Sequence, residues 1–115
     1  MKKIFLPLIA ASALLTGADL DALQKECNGG NGASCYELGV LYDNAREGAA
    51  QDYQKAAELY SKVCKLGNGG GCYNLGNLYA QGRGIKEDAN AAENYLKKAC
   101  EMEPELACDR YKEFH

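Results

Sequence analysis

The chain has 115 residues, with 13 basic against 16 acidic side chains, a net charge of -3, 6 cysteines and 1 histidine. An acidic balance without a long basic stretch excludes a nucleic-acid binder held by phosphate contacts. A chain this short buries too small a fraction of its surface to be very stable on core packing alone, so covalent staples matter.

Met1-Lys2-Lys3 and the mostly apolar run from Ile4 to Leu15, interrupted by Pro7 and Ser12, have the pattern of a secretory signal peptide. The run is too short for a membrane-spanning helix, which needs about 20 apolar residues. Thr16-Gly17-Ala18 offers a processing point before Asp19, and Ala11-Ser12-Ala13 offers a second; an uncleaved N-terminal anchor is the alternative. No cysteine follows closely enough for lipid attachment. Removing residues 1–18 takes away 2 lysines and no acid, leaving 97 residues with 11 bases, 16 acids and a net charge of -5.

Residues 19–27, with Leu20, Leu23 and Cys27, read as a short helix. The next stretch, Cys35-Tyr36-Glu37-Leu38-Gly39-Val40-Leu41-Tyr42, places Cys35, Leu38, Gly39 and Tyr42 at the i, i+3, i+4, i+7 spacing of a helix, predicted over 34–45. A second helix is predicted over 51–64, with Ala56, Leu59, Tyr60 and Val63 as its apolar stripe. Then the pattern returns. Cys72-Tyr73-Asn74-Leu75-Gly76-Asn77-Leu78-Tyr79 repeats the first helix 37 positions on, predicting a helix over 71–81. Gln81-Gly82-Arg83-Gly84 breaks the chain. Asp88 then caps a helix over 88–100, whose Ala92, Tyr95, Leu96 and Ala99 repeat the second helix 36 positions on. The odd residue falls between Tyr42 and Asp52, where length variation leaves packed faces unrotated. Residues 105–115, opened by Pro104, form a final short helix with Leu106, Cys108, Tyr111 and Phe114.

The predicted architecture is all-α: a partial N-terminal helix (19–27), two hairpins (34–64 and 71–100) and a partial C-terminal helix (105–115), stacked as a solenoid whose end pieces cap open faces. Gly39 and Gly76 sit inside helices, where each costs roughly 1 kcal/mol relative to alanine. Close approach of the facing helix through Ala56 and Ala92 is the expected reason. The six cysteines form three pairs eight positions apart. They allow fifteen connectivities, and a common repeat geometry favours Cys27–Cys35, Cys64–Cys72 and Cys100–Cys108. Seven intervening residues do not suit a zinc knuckle, His115 is the sole histidine, and no two cysteines have the two-residue separation of a thioredoxin-like redox centre. No metal or other cofactor is expected.

Those recurring cysteine, tyrosine and leucine-glycine positions, together with Gly82-Arg83-Gly84-Ile85-Lys86-Glu87-Asp88, Lys62-Val63-Cys64 and Lys98-Ala99-Cys100, resemble the Sel-1-like repeat, a relative of the tetratricopeptide repeat. More narrowly, the pattern is similar to the secreted cysteine-rich repeat proteins of Helicobacter and Campylobacter relatives. The first repeat departs from it at Asp43-Asn44-Ala45-Arg46-Glu47-Gly48, which has one glycine and the extra residue. The resemblance implies a protein-interaction scaffold; its cysteine-rich branch also implies β-lactamase or penicillin-binding activity, and with it a hydrolase role in antibiotic resistance. The residues themselves offer no such centre. A serine enzyme of that type needs lysine three positions after serine, whereas Ser12, Ser34 and Ser61 are followed there by Leu15, Glu37 and Cys64.

The candidate binding residues are those on the first helix of each hairpin but off its apolar stripe: Tyr36, Glu37 and Val40, corresponding to Tyr73, Asn74 and Asn77. Asn74 and Asn77 share one helical face, and their amides can grip the backbone of an extended peptide. Arg83 and Lys86 read as solubilisers of the turn. The expected function is a secreted or periplasmic scaffold for a protein or cell-wall peptide, with no nucleic acid and no stable membrane anchor after processing. The alternative is binding or hydrolysis of a β-lactam.

Overall fold

Capping side chains decide where these helices begin, as much as apolar periodicity does. The computed structural model of the chain describes residues 17–44 and 52–114. Residues 1–16 of the expected signal peptide (1–18), the residues around Arg46, and His115 lie outside them, while Gly17 and Ala18 open the first helix. Six helices are described: α1 (Gly17–Asn28), α2 (Gly32–Asn44), α3 (Tyr53–Lys65), α4 (Gly69–Gln81), α5 (Ala89–Met102) and α6 (Pro104–Lys112). Each packs against its neighbours in sequence, giving an all-α stack of hairpins stapled by disulfides, as the repeat pattern predicts. No described helix is long and apolar enough to cross a membrane.

Helices α2 and α4 begin two residues earlier than periodicity suggests, because asparagine takes the cap. The Asn68 side chain accepts from Gly70 N and the Asn31 side chain from Ser34 N, satisfying orphan donors of the first turn. The glycines that read as loop are therefore the opening of a helix. Just ahead, Gly30 and Gly67 hold positive φ, 99° and 94°. Asn31 N and Asn68 N each reach back across this glycine, to Glu26 O and Val63 O. This left-handed helix ending is built the same way twice.

Helices α3 and α5 are capped by Asp52 and Asp88, accepting from Lys55 N and Ala91 N at 3.0 Å each. The backbone N–H groups of these aspartates donate to Tyr42 O and Tyr79 O respectively. In both hairpins one backbone bond thus links the first helix to the cap of the second. Pro104 opens α6, where its missing N–H removes nothing.

The core is a series of small clusters. Cys27, Cys35, Leu38, Leu59 and Val63 form the first, Ala56, Tyr60, Leu75 and Leu78 the second, and Cys64, Cys72, Ala99 and Ala107 the third. Cysteine pairs enter the first and third clusters directly, so the bridges are packing as well as covalent links. Their Cα atoms stand 4.6, 4.6 and 4.4 Å apart, in bonding range, for Cys27–Cys35, Cys64–Cys72 and Cys100–Cys108.

The helix glycines do meet a facing helix, but the nearest side chains are Tyr60 and Leu96 rather than the alanines. A Cβ on Gly39 would lie 2.8 Å from the Tyr60 ring, and one on Gly76 2.9 Å from Leu96 Cγ. At Gly39 the nearest atoms belong to Tyr60 and Leu59 rather than Ala56, and at Gly76 the Ala92 carbonyl oxygen follows Leu96 at 3.3 Å. The reason is side-chain direction: Tyr60 and Leu96, one turn past the alanines, lean back over the preceding turn of their helices.

Candidate functional site

Helices α2, α4 and α6 each begin just after a cysteine turn and bring their off-stripe side chains to one face. On α4, Asn74 and Asn77 stand one turn apart. Asn74 Nδ2 donates to the Tyr36 hydroxyl on α2 at 3.2 Å, and Asn77 Oδ1 accepts from Arg110 Nε on α6 at 2.8 Å. The result is a polar strip across three helices, with both amides half-buried. Arg110 also pairs with Glu113 and lies over the Phe114 ring, 5.0 Å from its centre.

The other candidates stand apart from this strip. Glu37 is exposed and makes no hydrogen bond or ion pair among the described residues. Tyr73 packs against the third cluster. Tyr36 does double duty: its ring belongs to the packing of the first two clusters, 6.0 Å from the Tyr60 ring, and its hydroxyl meets the strip.

Behind the strip lies a network that sequence reasoning missed. Tyr60, 1% exposed, donates to Asp43 Oδ2 at 3.0 Å. Burial, then the facing Asp43 carboxylate, push the Tyr60 phenol well above its ordinary value, so it keeps its proton and remains a donor. Arg83, expected as a solubiliser, instead reaches Asp43 at 3.6 Å and donates to the Tyr53 hydroxyl at 3.0 Å. The hydrogen bond to Tyr53 leads in raising the Arg83 guanidinium above its usual range. The turn of the second hairpin is thereby tied to both helices of the first. The only sequence sign of this was an acid, Asp43, where the second repeat has Ala80.

The strip offers amide and phenol donors and acceptors but no activated nucleophile. The Ser34 hydroxyl is buried and donates to Glu26 at 2.6 Å, and Ser61 has no hydrogen-bonded base. Among the described residues no group of three or more histidines, cysteines or carboxylates could hold a metal ion. Two hollows open elsewhere. One of about 630 Å³ is walled only by Glu103 to Leu106; another of about 380 Å³ lies between α3 and α5 over α4.

Residues 32–68 and 70–104 each match the Sel1 repeat. The chain belongs to the Sel1 repeat family. Each matched unit runs from the first turn of one hairpin helix, through its partner, to the following cysteine turn. Among solved structures, the chain is similar to Helicobacter pylori cysteine rich protein B, with 32% identity and a TM-score of 0.77 over 93% of this chain and 81% of that one. It is also similar to a protective antigen present in uropathogenic Escherichia coli strains, which displays an SLR fold: 30% identity, TM-score 0.68, over 72% of this chain but 18% of that one. A Sel1 repeat protein from Oxalobacter formigenes shares the fold at 19% identity and TM-score 0.72, over 78% of this chain and 37% of that one. No curated protein matches the chain. Sel1 membership and fold together support a protein–protein interaction scaffold.

Proposed function

We propose that the protein is an exported scaffold that binds an extended segment of a protein or of a cell-wall peptide along the face made by α2, α4 and α6. One observation carries this reading: Asn74 and Asn77, half-buried and one turn apart, are each held by one hydrogen bond, to Tyr36 and from Arg110, which leaves the other end of each amide for a ligand. An asparagine offers both a donor and an acceptor, which matches one peptide unit of an extended backbone. Pre-ordering the amides lowers the cost of immobilising them on binding. Glu37, aligned with Asn74 one repeat earlier, adds an exposed charge that favours a basic residue, and Tyr73, half-buried against the third cluster, adds an aromatic side chain next to Asn74 in sequence.

The basic, then apolar, N-terminal stretch and the three disulfides support an address outside the reducing cytosol, secreted or periplasmic. Mass analysis of cell fractions should find the protein outside the cytosol, with an N-terminus trimmed at Asp19 or after Ala13 and three intact bridges; retention in the cytosol or free thiols would overturn that address.

The binding test is titration of the oxidised protein with an array of extended peptides. Saturable binding should weaken about tenfold or more in N74A/N77A, with the helical circular dichroism unchanged. Binding that ignores both asparagines sinks the reading. Lactam hydrolysis has no observation in its favour, because Ser34 is engaged with Glu26 and Ser61 lacks a base. Oxidised protein should leave a chromogenic β-lactam at the level of a mock purification.

A further inference from the structure

The smaller hollow, between α3 and α5 on the side away from the asparagine strip, has two chemically different walls. Glu58, Ser61 and Lys65 line the α3 wall, and Tyr95 with Tyr79 and Leu75 line the other and the floor. Positions i, i+3 and i+7 share one face of a helix, so acid, hydroxyl and base form a row in that order. Among the described residues none of the three makes a hydrogen bond or ion pair. Opposite them, the Tyr79 and Tyr95 rings lie parallel, with an interplanar angle of 2° and centres 5.8 Å apart. That stacking holds the two rings of the aromatic wall against each other.

We infer that this hollow is a second site, which binds a short linear peptide through its two free ends. The argument is one of length and sign. Seven helical residues rise about 10.5 Å from Glu58 to Lys65, and three extended residues span about 10 Å. A free tripeptide thus sets its ammonium beside Glu58 and its carboxylate beside Lys65. Ser61, midway, serves the central peptide unit, and the central side chain lies against Tyr95. The volume of about 380 Å³ falls in the range of small-ligand pockets. The site requires free termini, whereas the asparagine strip reads backbone and is indifferent to them. The two readings can therefore fail separately.

The test is calorimetric titration of full-length oxidised protein with Ala-Phe-Ala, its N-acetyl form and its C-terminal amide. The free tripeptide binds one-to-one, and blocking either end weakens binding about threefold to fivefold, the scale of a partly exposed ion pair. In Glu58→Gln the penalty for acetylation disappears while that for amidation stays, and Lys65→Gln shows the reverse. Both positions are exposed, so the variants keep the wild-type helical signal. Absence of saturable binding to the wild type, equal affinity for free and blocked peptides, or end-sensitivity that survives both substitutions would overturn the proposal. So would loss of binding in N74A/N77A, which would move the peptide to the other face.

Discussion

In the first hairpin the side chain opposite the helix glycine is Tyr60, whose hydroxyl reaches Asp43; in the second it is Leu96, and Ala80 stands where Asp43 would be. The cysteine turns differ in the same sense. Ser34 donates to Glu26 ahead of the first hairpin, whereas ahead of the second Gly71 lies so close to Val63 that a Cβ would approach its Cγ1 to 2.7 Å. Polar pairs in one unit are replaced by small-against-large apolar pairs in the next. What both units keep is the caps, the glycine in the middle of the first helix and the bridge. Those backbone devices, rather than any particular filling, define the unit.

The largest effect should come from the bridges. Replacing Cys27 and Cys35, or Cys64 and Cys72, by serine pairs should each cost about 2–3 kcal/mol, because both close rings of the same size. Urea midpoints of the two variants measure this, and a large gap between them would show that the fillings, not the ring, set the benefit. Next, Gly39→Ala and Gly76→Ala should each cost about 1–2 kcal/mol, overpacking outweighing the gain in helix propensity. The first should be the costlier, because the Tyr60 ring is held at its far end by Asp43 while Leu96 can change rotamer.

The smallest change is Tyr60→Phe, which removes one buried hydrogen bond and should cost about 1 kcal/mol at neutral pH. Its pH dependence sharpens the contrast between hairpins. A phenol raised on folding stabilises fully below its unfolded value of about 10, and the contribution is lost as pH climbs beyond it. The stability advantage of wild type over Tyr60→Phe should therefore shrink above about pH 10 in urea titrations. An advantage that stays constant to high pH would mean that Tyr60 is not protected from ionisation.

Helices and repeat units were legible because their signals are local: a 3.6-residue stripe, a glycine returning in register, cysteines at fixed spacing. The exact helix starts were less so, since Asn31 and Asn68 look like loop residues until their side chains are seen to accept from the next turn. Asp52 could have been found by shifting Asp88 back one repeat. Arg83 and Arg110 could not. Their partners, Asp43 with Tyr53 and Asn77, lie about a repeat away, and which side chains meet there depends on the angle at which hairpins stack. The row of Glu58, Ser61 and Lys65 was visible on its helix, but the tyrosine wall opposite belongs to that same stacking.

Each bridge joins cysteines only eight positions apart: Cys64–Cys72 ties the first hairpin to the second at the bend between them, the other two tie on the end helices, and no bridge reaches past its own bend. Under tension applied at its ends, the chain would accordingly keep three tiny knots of slack and surrender everything between them. Oxidation thus resists thermal unravelling of each bend while leaving the molecule mechanically extensible, hairpin by hairpin.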